Sequence, residues 1–482
     1  MSVSRPAAVI VLAAGEGTRM KSKTPKVLHS LCGRTVLGHA LATAQKLRPE
    51  RLIVVVGHNR DQVQAHIQDQ APEAQLVVQE HQYGTGHAVR MVTEATGPIQ
   101  GPVVVTYGDV PLLTAETLKK LVQEHTTASN AATVLTARVP DPTGYGRIIR
   151  DTTGAFKEIV EHADATEEQR KIDEMNSGFY AFDGTCLADA IKRLPTTNKQ
   201  GHEYLTDVVA ILREDGHRVG AVQANDPQEV EGINDRVQLA RARRVCNDRL
   251  LTHWMREGVT IVDPQTTWID AEVTLEQDVE LRPGTQLEGH THIKAGAKIG
   301  PNCVLRDTQV AEDAELRYTV CDQAEIGPGA TVGPFAYLRQ GTKIGPNAHI
   351  GTSVELKNAT VGEGSKVPHL SYVGDADIGE HSNIGAATIF ANYDGVAKHH
   401  TTVGDHVRIG SDTILVAPVN VGDGAYTAAG SAIHQDVPPG ALGIARGEQH
   451  NSEDWVERRR PGTKSAAAAE RAKRKSGGEK NS

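Results

Sequence analysis

Beyond about residue 262, aliphatic side chains recur every six residues, a spacing produced neither by the 3.6-residue turn of an α-helix nor by the alternation of an isolated strand. Leu275, Leu281, Leu287, Ile293, Ile299 and Leu305 share one register; Ile326, Val332, Leu338, Ile344, Ile350 and Leu356 share another. The phase slips at Val361, Val367 and Val373 and again at Ile378 and Ile384. It resumes through Val403, Ile409, Leu415, Val421 and Ile433, with Thr427 on the one polar step. Each hexad has room for one short strand and one corner, so the segment is expected to coil as a parallel β-helix around a narrow aliphatic interior. Of the 47 glycines, 24 lie between Gly284 and Gly447, often directly after the aliphatic, where they are expected to permit the corner. The phase slips mark loops leaving the coil, notably Ala391 to Thr401.

The first half has a different texture. Short apolar runs at 8–14, 52–57, 76–79, 102–109 and 131–139 alternate with helical patterns at Val36–Leu47 and Thr114–His125. Strands without polar alternation are buried on both faces, which predicts a doubly wound, Rossmann-like α/β domain with a parallel sheet. A long helical pattern ending at Gly258 reads as a connector. The expected divisions are therefore 1–233, a linker helix over 234–258, the coil over 259–450, and a tail over 451–482. Aromatic residues are only 4%, as expected when a Val/Ile sheet and a thin coil supply the cores.

A net charge of −9 excludes a nucleic-acid binder as a whole. From Lys464 the balance reverses, with six basic residues against Glu470 and Glu479, and this low-complexity tail is expected to be disordered. The five cysteines, Cys32, Cys186, Cys246, Cys303 and Cys321, are scattered without metal-ligand spacing and read as reduced thiols. The apolar run at 7–14 resembles a signal peptide but meets a glycine turn at once, so a buried strand and a cytoplasmic location are expected.

Chemistry concentrates at the ends of the apolar runs. Leu12-Ala13-Ala14-Gly15-Glu-Gly17 is a glycine loop between strand and helix, suited to close approach by a phosphate or base, and Arg19 and Lys26 add cations for a triphosphate. Asp109 ends an apolar strand in Tyr107-Gly108-Asp109, at the sheet edge where such folds bind ligands, and one carboxylate there suits Mg²⁺. The coil carries a polar set that its own stability does not require: Arg339, Glu355, Lys357, His369, Tyr372, Asn383, Asn392, Tyr393, Ser411 and Arg446.

The motifs LAAGEGTRM, PKVLH, YGTGHA, YGDVPL, DPTGYGR and EVEGIN resemble sugar-nucleotide pyrophosphorylases, and PHLSYVGD and NIGAATIFANYDG resemble the acetyltransferase half of a bifunctional family among them, the likeness running from about Val9 to Arg446. Within these they are similar to the bacterial bifunctional N-acetylglucosamine-1-phosphate uridyltransferases/glucosamine-1-phosphate acetyltransferases. That resemblance implies a left-handed β-helix, a homotrimer, and a role in cell-envelope precursor synthesis from glucosamine 1-phosphate, acetyl-CoA and UTP. It implies UTP and UDP-sugar contacts at Leu12, Ala13, Ala14, Gly15, Lys26, Gln79, Gly84, Thr85, Tyr107, Gly108 and Asp109. The sugar falls on Gly146, Glu161 and Asn176, and Mg²⁺ on Asp109 and Asn234. In the coil it implies His369 as general base and Arg339, Lys357, Tyr372 and Asn383 on the sugar phosphate. Ala386, Asn392, Tyr393, Ser411, Ala429 and Arg446 fall on acetyl-CoA. The chain departs from the pattern at Ala391, where some members carry cysteine, and at Gln340, where proline is usual. A second reading keeps only the nucleotidyltransferase and gives the coil to oligomerisation or regulation, as in ADP-glucose and GDP-mannose pyrophosphorylases. The set around His369 and Lys357 argues against it. A non-catalytic scaffold leaves Lys26, Asp109 and Asn234 unexplained.

Overall fold

The structure, a computed structural model, describes residues 5–15, 17–57, 61–195 and 202–478. It divides into two compact units, Met1–Gln323 and Ala324–Ser482. In the first, nine strands form one sheet: β1 Ala8–Ala13, β2 Arg51–Val56, β3 Gln75–Val78, β4 Pro102–Tyr107, β5 Ala132–Arg138, β6 Arg147–Arg150, β7 Phe156–Val160, β8 Glu174–Asp183 and β9 Val219–Gln223. Their order is β9-β5-β8-β4-β1-β2-β3, with β6 on β8 and β7 on β6. The apolar runs are buried on both faces. Val9, Val11, Val54 and Val56 pack with Leu37, Leu41, Leu118 and Leu121 of two helices, while Ile10, Leu12, Ile53 and Val55 pack with Val89, Val92, Val208 and Leu212 of two others.

β1 runs parallel to β2 and β4, with Leu12 opposite both Val55 and Tyr107, so the glycine loop and Asp109 leave the sheet side by side. The expectation of an all-parallel sheet fails at β8, which inserts antiparallel between β4 and β5. Its polar start, Glu174-Met175-Asn176-Ser177, hid it from a search for apolar runs. Phe179, Tyr180 and Phe182 of this strand supply the largest rings of the core.

The predicted helices form at Val36–Gln45 and Ala115–Thr127, the second capped by Thr114 accepting from the Thr117 N–H. The connector is Arg236–Arg256, capped by Asp235. Buried Asn247 fastens its middle to the first coil strands, donating to Thr267 O (2.8 Å) and accepting from Ile269 N (3.0 Å). All five cysteines are free, yet Cys32 and Cys246, distant in sequence, meet within hydrogen-bond reach.

Both units contain coils of left-handed parallel β-helix. Glu280 pairs with Lys298 in the first unit; Tyr337 pairs with Glu355 and Glu355 with Tyr372 in the second. Every aliphatic of the six-residue registers is buried. Partners normally lie 17 or 18 positions apart, but Ser382 and Val407 are 25 apart, the insertion being the predicted Ala391–Thr401 loop. A second buried ladder is formed by Thr and Ser, whose hydroxyls cap carbonyls: Thr291 donates to Glu288 O and Ser365 to Gly379 O.

Gly300 (φ 107°) and Gly333 (φ 102°) adopt the expected corner conformation, but most glycines after the aliphatics serve another purpose. Gly345, Gly362 and Gly385 do not have positive φ; the neighbouring coil passes too close for a side chain. Many left-handed corners fall instead on Asn347, Asn358, Asp375 and His381. The tail also differs from expectation, because Lys464–Gly478 is helical. Its SAAAAERAKRK stretch has high helix propensity, and Lys473 pairs with Asp454 and Glu457 beside the short helix Trp455–Arg459. Glu479 and Lys480 lie outside the described residues.

A methyl group at Gly362 would meet Gly379 C at 2.6 Å and Glu380 N at 2.9 Å, both backbone atoms of the adjoining coil. Gly362→Ala is therefore expected to destabilise the protein by about 1–3 kcal/mol. Gly447→Ala, with nothing within 4 Å, should be neutral, and the two denaturation midpoints check the difference.

Candidate active sites

At the carboxyl edge of the first sheet, three segments far apart in sequence converge. Lys26 lies on the short turn Lys26–Leu28 and is only 8% exposed. Its Nζ contacts Asp109 Oδ2 at 2.6 Å and Asn234 Oδ1 at 3.2 Å. The backbone enforces this meeting: Ile233 N donates to Asp109 O at 2.9 Å, which places Asn234 beside Asp109. Gly17 has φ 64°, and a Cβ there would lie 2.4 Å from Lys26 Cβ, so only glycine lets the loop close over the lysine. Leu12 O accepts from Gly108 N (2.9 Å), and Ala14 O accepts from Gln82 Nε2 (2.5 Å).

Two further groups flank this centre. Gln79, buried at the end of β3, donates through Nε2 to Gly84 O at 3.1 Å, and Thr85 accepts from Leu205 N at 3.2 Å at the start of helix Thr85–Thr96. On the other side, Asn176 N donates to Gly146 O at 2.8 Å, and a Cβ on Gly146 would lie 3.3 Å from Glu161 Oε1. Gly146, Glu161 and Asn176 are thus brought together. Glu161 opens to solvent on one side, yet lost hydration, then Asp207 and Asp164, lift its carboxyl above the ordinary range. Tyr107 stacks edge-on with Phe179 (5.3 Å between centroids), and burial raises its phenol. Arg19 is exposed and makes no ion pair among the described residues, so the structure does not join it to the Lys26 cluster.

In the second unit, adjacent coils stack the second set. Arg339 pairs with Glu355 at 2.9 Å and Lys357 with Asp375 at 3.3 Å. Tyr372 stands in register between Glu355 and Ile389. A Cβ at Gly374 would meet Tyr372 OH at 2.4 Å and Asn392 Nδ2 at 2.7 Å, so these two side chains share one pocket wall. Asn383 sits in register between Lys366 and Arg408. His369 ends strand Lys366–His369. Its carbonyl accepts from Ala387 N and Ser371 Oγ, while its exposed imidazole makes no hydrogen bond among the described residues. Along one edge, Ala386 O accepts from Asp412 N, Ser411 O from Gly430 N, and Ala429 O from Arg446 Nη1 (2.9 Å). Tyr393 is exposed in the loop, its hydroxyl on Gly395 O.

Three residues in or near the quoted motifs had been given no individual role. Asp375, buried at a left-handed corner, gathers Lys357, Asn358 (2.8 Å) and Asn392. Burial alone would raise its carboxyl, but hydrogen bonds from Asn358, Asn392 and Lys357 outweigh this and hold it below the ordinary range. Lys398, from the loop, comes within hydrogen-bond reach of Lys357, whose ammonium depresses it. Arg147, almost fully buried, holds the Gly146 loop through Pro142 O at 2.7 Å. In sequence each looks like an ordinary surface charge.

A mixed α/β sheet with a cation–carboxylate centre at its edge, followed by a hexapeptide coil bearing its own polar cluster, defines a nucleotidyltransferase joined to an acyltransferase-type β-helix. A MobA-like NTP transferase domain model matches residues 9–174, and a GMPPB C-terminal domain model matches residues 320–424. Proteins named bifunctional protein GlmU are similar over nearly the whole chain. That of Streptomyces avermitilis is 62% identical over 99% of this chain and 100% of its own length, and that of Thermobifida fusca 62% over 99% of each. That of Corynebacterium diphtheriae is 52% identical over 98% of each. The chain belongs to this GlmU family. It is a bifunctional transferase, with uridyltransferase and acetyltransferase activities that together make UDP-N-acetylglucosamine. Among the described residues no helix is long and apolar enough to cross a membrane.

Asp375→Asn removes the negative charge that Lys357, Asn358 and Asn392 share and turns one of its two accepting oxygens into an NH₂ donor, and is expected to cost about 2 kcal/mol at neutral pH. A carboxyl held below its unfolded value of about 3.9 stabilises the fold above that pH and loses this contribution as pH falls through the folded value. Denaturation at a series of pH values should therefore show the variant and the unaltered protein converging in acid.

Proposed function

We propose that uridylyl transfer takes place over the Lys26–Asp109–Asn234 centre and acetyl transfer over the coil cluster around His369, Lys357 and Tyr372. The supporting observation is the convergence of Lys26 Nζ with Asp109 Oδ2 and Asn234 Oδ1 at the sheet edge. The corresponding division is a uridyltransferase domain over 1–233, a linker helix over 234–258 and the acetyltransferase coil over 259–450.

Two hard oxygens already aimed at one cation fit Mg²⁺ as well as an ammonium, and Asp109 and Asn234 would hold it. When bound, that ion supplies charge neutralisation to the phosphates. Gln79, Gly84 and Thr85 receive the base, while Leu12 to Gly15 and Tyr107–Gly108 carry the nucleotide at the sheet edge. Gly146, Glu161 and Asn176 hold the sugar. Lys26 takes up negative charge as a phosphate oxygen of N-acetylglucosamine 1-phosphate attacks the α-phosphorus of UTP and pyrophosphate departs. A phosphate dianion is nucleophilic at neutral pH, so alignment and charge neutralisation suffice. Arg19 borders the same loop and adds a mobile cation for the polyphosphate.

In the coil, Arg339 and Lys357 receive the phosphate of glucosamine 1-phosphate, with Tyr372 and Asn383 on the sugar. His369 accepts a proton from the amine, which then attacks the thioester carbonyl of acetyl-CoA and expels the thiol. Ala386, Asn392, Tyr393, Ser411, Ala429 and Arg446 line the acetyl-CoA edge. Acetylation precedes uridylylation. Family membership supports a homotrimer assembled through the coils, and the unpaired thiols support a cytoplasmic site of action.

His369→Ala should lower acetyl transfer, read as thiol release from acetyl-CoA, by about 10²–10⁴-fold and leave UDP-sugar formation intact. Asp109→Ala should do the reverse. Loss of both activities in either folded variant would contradict two separate sites.

A further inference from the structure

Gln79 is 3% exposed and spends both amide protons within the protein: Nε2 donates to Gly84 O at 3.1 Å and to His87 Nδ1 at 2.9 Å. Its Oε1 makes no hydrogen bond among the described residues. An acceptor role at Nδ1 requires the ring proton on Nε2, in a neutral imidazole. Burial, the largest influence, pushes His87 below the ordinary imidazole range, with Arg90 and His81 adding to this and Glu203 and Glu94 opposing it. The ring is itself fixed. His87 is 7% exposed in the first turn of helix Thr85–Thr96, and Tyr83 packs edge-on against it at 5.3 Å.

The second acceptor is equally immobile. Gly84 has φ 106°, and a Cβ there would lie 2.4 Å from Glu203 O. Glu203 N donates to Tyr83 O (2.7 Å), Gly86 N donates to Glu203 O (2.9 Å), and the Glu203 carboxylate pairs with Arg90 at 2.6 Å. Two rigid acceptors on one side of a primary amide leave it a single orientation, with the carbonyl oxygen outward.

We propose that His87 is a positioning residue for base selection: with Gly84 O it locks the Gln79 amide so that only its carbonyl oxygen faces the base. This rests on the assignment of Gln79 to uracil recognition. Uracil offers an N3–H donor, which Oε1 accepts; cytosine offers a bare N3, which Oε1 repels. Freed from His87, the amide turns over and presents its NH₂ to cytosine N3. Selection of the pyrimidine is thus held by a residue that need not touch it.

The test measures kcat/KM for uridylyl and cytidylyl transfer from UTP and CTP, with a cooperative denaturation transition certifying the fold. His87→Phe keeps the ring and deletes the acceptor, and is expected to lower the UTP:CTP ratio about tenfold through KM for UTP and gained use of CTP. His87→Asn, whose Oδ1 can replace Nδ1, should restore most of the ratio. If His87→Phe does not fold, His87→Leu takes its place. A variant that slows both nucleotides equally overturns the proposal. Gln79→Leu separates the two ideas: an unchanged ratio there overturns the assignment of Gln79 to the base. A collapsed ratio there beside an unchanged one in His87→Phe overturns only the positioning role.

Discussion

The buried ammonium of Lys26 is the constraint around which the first unit closes. An unpaired charge at 8% exposure would be strongly unfavourable, so the fold must deliver partners to it. Those partners come from residues 109 and 234, and their delivery draws the end of β4 and the start of the helix Arg236–Arg256 onto the glycine loop. Arg236 then reaches Met20 O, and Arg243 reaches Ser30 O at 2.7 Å, so the same helix braces both ends of the segment that carries Lys26. A helix that looks like a mere connector therefore closes the candidate uridylyl site.

The coil solves a different problem. With its pitch set by strand pairing, side chains at equivalent positions of successive coils must lie one above another. Glu355, Tyr372 and Ile389 form one such column; Lys357 and Gly374 belong to its neighbour. A polar site on this surface is a question of which residues occupy a column and how their charges are balanced. Asp375 balances them from below, at a left-handed corner that aspartate tolerates better than most residues. The loop after Ala391 stretches the spacing to 25 residues and lets chain leave the stack, and it brings Asn392 to Asp375 and Lys398 to Lys357.

What could be read in advance follows from these two mechanisms. The aliphatic register was legible because every sixth side chain fills the interior, with no tertiary choice involved. The role of glycine was only half legible: Gly362 looks like a corner residue in sequence, but the crowding comes from Gly379 on the neighbouring coil, a distance no local pattern encodes. β8 was missed because Asn176 and its polar neighbours sit where β8 supplies site residues, and its irregular pairing between Asn176 and Tyr180 breaks the pattern of a buried strand. Asp375, Lys398 and Arg147 were given no individual role because a charge acquires meaning only from its neighbours. Lys26 and Asp109 were singled out by the glycine loop and the strand end, Asn234 by motif resemblance, and the hydrogen bond from Ile233 to Asp109 supplies the physical reason that these segments meet.

The charge balance of the two clusters explains their different demands. At the sheet edge one ammonium faces one carboxylate and a neutral amide oxygen, so the cluster offers an incoming triphosphate little net attraction. Additional positive charge on Asp109 and Asn234 would release Lys26 to the phosphates, which makes metal dependence an electrostatic consequence of the proposed assignment. In the coil, Arg339, Lys357 and Lys398 face Glu355 and Asp375, and the cations are in excess. Lys357 and Lys398 lie within hydrogen-bond reach and shift in opposite directions, Lys398 lowered by Lys357 and Lys357 raised by Lys398 and Asp375. Under the proposed assignment, a sugar-phosphate dianion would supply the negative charge that this cluster lacks.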